Sequence, residues 1–242
     1  RRLNPDAIIA VVGCYSQIAP KEVSAIEGVD VVLGTRNKGD VVYYVNKARD
    51  EQTAQIYVES VLRNKKFEAL NIEEYQDKTR AFLKIQDGCN RFCAYCIIPY
   101  SRGSVCSKEP RQVLDEINKL SEHGFKEIIL SGIHTASYGL DLDSEITLVD
   151  LLEEIEKLDG IERVRIGSIE PAFFTPEVIE KIRNMKKLCP QFHLSLQSGC
   201  NATLKRMNRR YTAEEYERIV NILRENIKDV SITTDVIVGF PG

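Results

Sequence analysis

Short apolar runs alternate with amphipathic segments of helical periodicity from about residue 80 onward. The apolar runs lie at residues 81–85, 127–130, 163–166, 192–196 and 230–238. The amphipathic segments lie at residues 110–123, 147–158, 175–184 and 212–226. Strands that alternate with helices in this way form a parallel sheet with right-handed crossovers. The pattern therefore predicts an α/β fold with an open or closed parallel barrel, whose fifth strand lacks its helix.

The first part of the chain shows a shorter version of the same pattern. Strands are predicted at residues 7–12 and 29–33, a turn at 13–17, and helices at 20–27 and 38–48. Residues 50–80 are polar and charged without steady periodicity, which is typical of a linker. We therefore expect part of a small α/β domain at residues 1–49, a linker at 50–80 and a larger domain at 81–242, with both ends cut from a longer protein.

Composition narrows the class of protein. The hydrophobic content of 43% is enough for a sizeable core, and the formal charge of −3 argues against nucleic-acid binding through the overall field. The chain shows neither a secretory signal nor a run of eighteen apolar residues, so no membrane association is expected. Seven cysteines without an export signal favour free thiols in the reducing cytoplasm.

Three of these cysteines form a CxxxCxxC motif directly after the run at residues 81–85: Cys89, Cys93 and Cys96. Thiolates bind iron–sulfur clusters or zinc. Three thiolates on a four-iron cluster leave one iron open for reaction, whereas a structural zinc site needs four ligands and would have to recruit Cys106. The spacing favours a cluster; a zinc-stabilised binding module and inert buried cysteines are the alternatives.

The loop follows the first strand of the predicted barrel, at the carboxyl edge where barrel active sites are built. A CxxxCxxC motif at this place resembles the radical S-adenosylmethionine (SAM) enzymes. Further segments resemble the methylthiotransferase branch of that superfamily. They are residues 13–17, 88–103, 130–139, 194–199, 204–212 and 235–242.

Within this branch, residues 131–135 and 166–171 resemble the members that act on N6-threonylcarbamoyladenosine of tRNA. Members that act on isopentenyladenosine of tRNA, or on an aspartate of a ribosomal protein, are the alternatives. The resemblance implies a partial barrel of the radical SAM type that lacks its last strand. It also implies tRNA, a one-electron reductant and a sulfur donor as partners.

The resemblance implies two [4Fe-4S] clusters and S-adenosyl-L-methionine as cofactors. Cys89, Cys93 and Cys96 match the ligands of the radical cluster, whose reduction yields a deoxyadenosyl radical that activates carbon 2 of the adenine. Cys14 matches one of three ligands of the second cluster. The other two would precede Arg1, so we expect this chain neither to hold that cluster as the family does nor to complete methylthiolation alone.

Contacts to the cofactor are expected at the carboxyl ends of later strands. The candidates are Ser131, Gly132, Ser195, Gln197, Arg209 and Asp235, with Gly239 as a weaker one. Gly132 would let the ligand approach the backbone, and Arg209 offers a planar fork to the methionine carboxylate. Ser195 and Gln197 are equally well explained as structural groups at a strand end. No residue is predicted to act as an acid, base or nucleophile.

Other polar residues are predicted to be structural. His134 is interpreted as a satisfied turn histidine, and Cys106, Cys189 and Cys200 as ordinary cysteines. The basic pairs at residues 205–206 and 209–210 fit a solvated face better than an RNA phosphate contact. The basic residues at 63–66 are interpreted as part of the linker.

Overall fold

A computed structural model describes residues 3–49, 54–62, 67–68 and 79–242. Most of the predicted linker therefore lies outside the described residues, and so do the basic residues at 63–66. Contacts divide the chain into two compact units. The first comprises Arg1–Leu70, Gly88–Asn90 and Cys96–Ser104, and the second comprises Asn71–Asp87, Arg91–Tyr95 and Val105–Gly242.

The first unit contains a parallel sheet in the order β1-β2-β3. Its described elements are β1 (Ala10–Val12), α1 (Cys14–Ile18), α2 (Pro20–Ser24), β2 (Val31–Leu33), α3 (Val41–Ala48), β3 (Gln55–Tyr57) and α4 (Ile98–Ser101). The central strand β2 is fully buried, and its ends pack with Ala48 into a small core. The hydrophobic pattern of the sequence predicts neither β3 nor α1. The buried β2 needs hydrogen-bonding partners on both edges, and β3 supplies the second edge although it lies in a largely polar segment.

The second unit is built on parallel strands with helical crossovers. Its described elements are β4 (Arg80–Lys84), β5 (Gln86–Asp87), β6 (Cys106–Ser107), α5 (Pro110–Glu122), β7 (Glu127–Ser131), α6 (Leu148–Lys157), β8 (Arg163–Ile166), α7 (Pro176–Ile182), β9 (Gln191–His193), α8 (Asn201–Arg206), α9 (Ala213–Asn226) and β10 (Ser231–Thr233). The predicted α/β class with parallel sheets is confirmed. The strand predicted at residues 230–238 is shorter, and α8 lies where no element is predicted.

The parallel strands run in the order β4-β7-β8, and β9 pairs with β10. Isolated parallel bridges between Val164 and Leu188 and between Ile169 and Leu194 link β8 to the neighbourhood of β9. A third bridge joins Gln197 and Val236 beyond the ends of β9 and β10. The five strands therefore point their carboxyl ends in one direction, toward the loops that carry the predicted site.

Helix boundaries follow from local chemistry. The Thr212 side chain accepts a hydrogen bond from the Glu215 backbone N–H at 3.2 Å, and the Glu215 carboxylate accepts one from the Thr212 N–H at 2.8 Å. The pair forms a capping box at the start of α9, and Thr147 with Asp150 forms another at the start of α6. Such caps stabilise a helix end by about 1 kcal/mol.

The core of the second unit lies between the sheet and its crossover helices. Alternate residues of β4 are buried, Ala81 and Leu83, while Phe82 between them is partly exposed. On α5 the buried residues are Val113, Ile117 and Leu120, spaced to form one face of a helix. The hydrophobic periodicity in the sequence therefore reports the buried faces correctly.

The opposite, amino-terminal end of this sheet holds a buried carboxylate. Glu127 at the start of β7 accepts hydrogen bonds from Arg163 Nε at 2.9 Å and Arg165 Nε at 2.7 Å. Arg80 Nη1 lies 3.8 Å from the same carboxylate. The hydrogen bond from Arg165, helped by Arg163, outweighs burial and lowers the pKa of Glu127 below its usual range. These contacts join the starts of three adjacent strands.

None of the helices in the described part of the chain is both long and apolar enough to span a bilayer.

Candidate functional site

The cysteine motif is divided between the two units by its contacts. Gly88–Asn90 and Cys96–Ser104 belong to the first unit, and Arg91–Tyr95 belongs to the second. Cys89 and Cys96 therefore fall in one unit and Cys93 in the other. None of the three cysteines forms a disulfide bond, and all three are half-buried. Their shared role as cluster ligands stays a prediction.

In the first unit, Gly88 shapes the entry to the motif. Its φ is +69°, a left-handed conformation that favours glycine, and a Cβ there would lie 1.9 Å from the backbone oxygen of Ser104. The next residue, Cys89, donates its backbone N–H to the Gly103 carbonyl at 3.1 Å. The chain on either side of the cysteines is thus drawn together by backbone contacts that tolerate no side chain at Gly88.

Cys14 lies in the same unit at the first position of α1. Its Sγ accepts a hydrogen bond from Arg102 Nε at 3.2 Å. The Arg102 carbonyl in turn accepts from Arg36 Nη2 at 2.5 Å. Thr35 Oγ1 donates to the neighbouring Ser101 carbonyl at 2.6 Å. A thiol faced by a guanidinium is a suitable metal ligand, and the assignment of Cys14 to a second cluster stays a prediction.

In the second unit, the segment after α8 braces the middle of the motif. The Ala94 N–H donates to the Met207 carbonyl at 3.1 Å. The Asn208 side-chain amide donates to the Phe92 carbonyl at 2.9 Å and to the Arg91 carbonyl at 3.4 Å. Phe92 has a φ of +51°, which few residues other than glycine adopt. These bonds hold Cys93 between two fixed neighbours.

Cys93 also contacts a buried cation. Arg209 Nη1 lies 3.3 Å from Cys93 Sγ, Arg209 Nε donates to the Tyr211 hydroxyl at 3.1 Å, and the Arg209 side chain is only 7% exposed. Burial by itself would lower the pKa of Arg209, but Tyr211, Cys93 and Glu170 together raise it. The guanidinium therefore stays charged next to the sulfur.

Glu170 supplies the counter-charge to Arg209. Its Oε1 lies 3.3 Å from Arg209 Nη2, and its Oε2 lies 2.6 Å from Arg91 Nη2 and 3.0 Å from His134 Nε2. Burial opposes ionisation of this carboxyl group, yet the neighbouring His134 and the charges of Arg91 and Arg209 lower its pKa. Glu170 is thus an ionised, buried carboxylate with three nitrogen partners.

His134 is held in the loop after β7. Its backbone N–H donates to the Gln86 side-chain oxygen at 2.8 Å, and its Nδ1 contacts the Ser137 hydroxyl. Gly132 lies directly beside this contact, because a Cβ there would approach the same Gln86 oxygen to 2.9 Å. Nδ1 of His134 therefore has a hydrogen-bond partner, whereas the buried Nε2 lies close to Glu170 without hydrogen-bond geometry. The interpretation of His134 as a satisfied turn histidine stays a prediction.

The predicted cofactor contacts follow the carboxyl ends of their strands. Ser131 ends β7, and its hydroxyl is 3.4 Å from the Leu83 carbonyl. The Ser195 carbonyl, just beyond β9, accepts from the Tyr211 hydroxyl. Gln197 has a φ of +67° and donates its N–H to the Asp235 carbonyl at 2.9 Å, and the Asp235 carboxylate lies 3.2 Å from His193 Nε2. The structure places these residues at one edge of the sheet, and their contact with a cofactor stays a prediction.

Three thiolates are a donor set that fits an iron–sulfur cluster. Within the described ranges, no three His, Cys, Asp or Glu side chains form a group that could hold one metal ion. A cluster takes its thiolates on different irons, and the three cysteines of this short motif, none of them in a disulfide bond, provide that chemistry. Cys106, the fourth ligand required by the zinc alternative, is buried within β6.

Two charged residues of this site are absent from the sequence prediction. Arg91 lies inside the cysteine motif, and Glu170 lies in the segment used only to distinguish branches of the family. Each follows a predicted strand at the edge where active sites form, which is the signal that points to them. The partners of Glu170 are far apart in the sequence, so periodicity and spacing do not reveal the contact.

A comparison with models of protein families identifies the superfamily. The model described as the Radical SAM superfamily matches residues 83–242. The chain belongs to this superfamily. The radical SAM resemblance found in the sequence is thereby confirmed, and the matched residues include the cysteine motif, Glu170 and Arg209.

Relatives are similar to this radical SAM chain over its whole length. Threonylcarbamoyladenosine tRNA methylthiotransferase MtaB of Bacillus subtilis is 42% identical over 100% of the chain and 53% of its own length. The tRNA-2-methylthio-N(6)-dimethylallyladenosine synthase of Clostridium botulinum (strain Loch Maree) is 40% identical over 99% of the chain and 53% of its own length. The chain thus spans about half the length of these curated relatives.

A solved structure shares the fold. The radical SAM methyltransferase TsrM from Kitasatospora setae superposes with a TM-score of 0.72 at 16% sequence identity, covering 100% of this chain and 52% of its own. At that level of identity the likeness concerns the fold alone.

Proposed function

We propose that this chain is the radical-generating part of a tRNA methylthiotransferase that converts N6-threonylcarbamoyladenosine next to the anticodon to its 2-methylthio derivative. The observation that carries the proposal is the CxxxCxxC motif at the carboxyl edge of a radical SAM domain, with Cys93 braced by the charged Arg209. The 42% identity to the Bacillus subtilis threonylcarbamoyladenosine enzyme supports the substrate.

In this proposal Cys89, Cys93 and Cys96 hold a [4Fe-4S] cluster with one iron open for S-adenosyl-L-methionine. When bound, the cluster supplies the electron that cleaves S-adenosyl-L-methionine into methionine and a deoxyadenosyl radical. The chain's own residues hold the motif: Asn208 binds the backbone carbonyls around Phe92, and Arg209 donates to Cys93 Sγ. Ser131, Gly132, Ser195, Gln197 and Asp235 are proposed to surround the cofactor from the ends of β7, β9 and β10.

The complete reaction needs more than this chain is proposed to supply. A one-electron reductant provides the electron, a sulfur donor provides the sulfur, and tRNA is the substrate partner. Cys14 is proposed to be one ligand of a second cluster involved in sulfur delivery. The cytoplasm, where tRNA and reductant are both present, is the proposed location.

A second substrate is nearly as well supported. The Clostridium botulinum dimethylallyladenosine enzyme is 40% identical over almost the whole chain, close to the 42% of the threonylcarbamoyladenosine enzyme. Deleting the gene and measuring modified nucleosides by mass spectrometry separates the two. We expect loss of the 2-methylthio derivative of threonylcarbamoyladenosine. Loss of the dimethylallyladenosine derivative instead would assign the second substrate, and an altered ribosomal-protein mass would remove tRNA from the proposal.

The cluster is tested on the chain itself. After anaerobic reconstitution with iron and sulfide, we expect a brown, oxygen-sensitive protein with about four irons per chain. Cys93→Ala should lose this iron because it removes one of three thiolates. Cys200→Ala is the matched control, since it removes an exposed thiol outside the motif. A colourless wild-type protein, or equal iron in Cys93→Ala and Cys200→Ala, would overturn the proposal.

A further inference from the structure

One carboxylate in the second unit gathers three separate segments around Cys93. Arg91 belongs to the cysteine motif, His134 to the loop after β7, and Arg209 to the segment between α8 and α9. Each places a nitrogen between 2.6 and 3.3 Å from an oxygen of Glu170. The Glu170 side chain is 7% exposed, so little water screens these contacts between charged or polar groups. We call Glu170, Arg91, His134 and Arg209 the Glu170 cluster.

The geometry of Arg209 connects this cluster to the sulfur. A guanidinium is planar, so its N–H groups point in fixed directions relative to one another. Arg209 Nε donates to the Tyr211 hydroxyl at 3.1 Å, and Nη2 lies 3.3 Å from Glu170 Oε1 in an ion pair without hydrogen-bond geometry. With these two contacts made, the plane of the group is set, and Nη1 faces Cys93 Sγ at 3.3 Å. The carboxylate therefore helps to aim the hydrogen bond that reaches the sulfur.

Tyr211 provides a rigid support for this arrangement. Its hydroxyl contacts the Ser195 carbonyl and lies 2.8 Å from the Leu196 carbonyl, both just beyond β9. The Arg209 guanidinium lies 4.9 Å from the centre of the Tyr211 ring. Arg209 is therefore fixed on one side by the sheet edge and on the other by Glu170. Without Glu170, the guanidinium of Arg209 would be oriented on one side only, by Tyr211.

We propose that Glu170 is a positioning residue that aims Arg209 at Cys93 and thereby sets the reduction potential of the cluster bound there. This inference rests on the proposed function, because it assumes that Cys93 is a cluster ligand. A hydrogen bond to a ligand sulfur withdraws electron density and favours the reduced cluster, so it raises the reduction potential. Loss of the aimed bond should lower that potential.

A charge effect alone predicts the opposite sign. Glu170 carries a negative charge, and removing a nearby negative charge favours the reduced cluster and raises its potential. Glu170→Gln therefore separates the two roles. The amide of glutamine has a single acceptor oxygen, and its N–H groups repel a cation. The guanidinium of Arg209 would therefore no longer be held in its orientation in Glu170→Gln. If positioning dominates, the potential falls; if charge dominates, it rises.

The test is a redox titration of the reconstituted 242-residue chain, followed by electron paramagnetic resonance, with iron measured in parallel. We expect Glu170→Gln and Arg209→Gln each to shift the reduction equilibrium about tenfold toward the oxidised cluster, which is about 59 mV for a one-electron couple. The double variant should shift no further than Arg209→Gln alone, because both changes remove the same hydrogen bond.

Glu127→Gln is the matched control. Glu127 is also a buried carboxylate held by two arginines in this unit, but it lies at the amino-terminal end of the sheet. Its removal should lower stability and leave the potential unchanged. A potential that rises or stays constant in Glu170→Gln, or additive shifts in the double variant, would overturn the inference.

Glu170→Asp covers the case in which Glu170→Gln fails to fold. Aspartate keeps the charge but withdraws the carboxylate by one methylene, so the potential should fall by less than in Arg209→Gln. An unchanged potential in Glu170→Asp beside a lowered one in Arg209→Gln would also overturn the inference. Failure of the wild-type chain to bind a cluster would instead contradict the proposed function, so the two failures are distinguishable.

Discussion

At the scale of single residues, the site depends on a few positions that do not tolerate substitution. Gly88 has a left-handed backbone and a carbonyl oxygen where a side chain would begin. Arg209 is buried with a hydroxyl, a thiol and a carboxylate around one planar group. A substitution at Gly88 would destabilise the fold because neighbouring atoms already occupy the space of a side chain. A substitution at Arg209 would destabilise it because neighbouring groups depend on its charge.

We expect Gly88→Ala to lower the free energy of unfolding by at least about 1–2 kcal/mol, the cost of a left-handed conformation in a residue with a Cβ. The contact with the Ser104 oxygen adds to this cost. Chemical denaturation measures the effect. The matched control is Gly199→Ala, because Gly199 has open space around its Cβ position and no left-handed φ. Equal stability of the two variants would contradict this account of Gly88.

At the scale of elements, strands and helices are held at their ends by charged groups. The capping boxes at Thr147 and Thr212 begin α6 and α9. Glu127 connects the first residues of β4, β7 and β8 through three arginines. The charged groups at the two ends of the sheet therefore connect different segments. Glu127 joins strands at one end, whereas the Glu170 cluster joins loops around Cys93 at the other.

We expect Glu127→Gln to lower the free energy of unfolding by about 1–3 kcal/mol at neutral pH, because it leaves buried partners incompletely paired. The folded-state pKa of Glu127 lies below its ordinary value of 4.5. Its contribution is therefore present above that pH and is lost as the pH falls through the folded-state value. Urea denaturation at several pH values measures this.

The difference between wild type and Glu127→Gln should shrink as the pH falls below 4.5. Glu177→Gln serves as the control, since Glu177 is an exposed residue in the first turn of α7. It should give a small difference at every pH. A gap between wild type and Glu127→Gln that stays constant with pH would show that the charge of Glu127 is not what stabilises the strands.

At the scale of the whole molecule, the two units differ greatly in their buried cores. The core of the first unit consists of Val31, Leu33 and Ala48 with a few half-buried neighbours, in the part of the chain that the structure describes. The core of the second unit draws on β4, β7, β8 and the helices α5, α6 and α7. Burial of apolar surface is the main source of stability, so the units should not be equally stable.

We expect hydrogen exchange to be faster in β1 and β2 than in β4 and β7, because local opening exposes less apolar surface in the first unit. Exchange measured by mass spectrometry on the reconstituted chain gives the comparison. The buried β2 and the buried β7 provide matched strands with similar initial exposure. Equal protection of these strands would show that both units open in a single cooperative step.

The fold was largely predictable from the sequence because hydrophobic periodicity reports which faces are buried. The prediction of β8 agrees to the residue, and α5 differs at its end by one residue. The elements that it missed are short and held by tertiary partners: β3 pairs with a buried strand, and α1 packs near α4. Local sequence contains little information about partners of this kind.

The sequence by itself determined the alternation of strands and helices, the cysteine spacing and the family that both resemble. These features depend on residues close together along the chain. Only the tertiary structure decided that Arg209 contacts Cys93, which lies 116 positions away, and that Glu170 joins them to Arg91 and His134. The physical reason is that a buried charge must find its partners in space, and those partners come from loops that only the folded sheet brings to one edge.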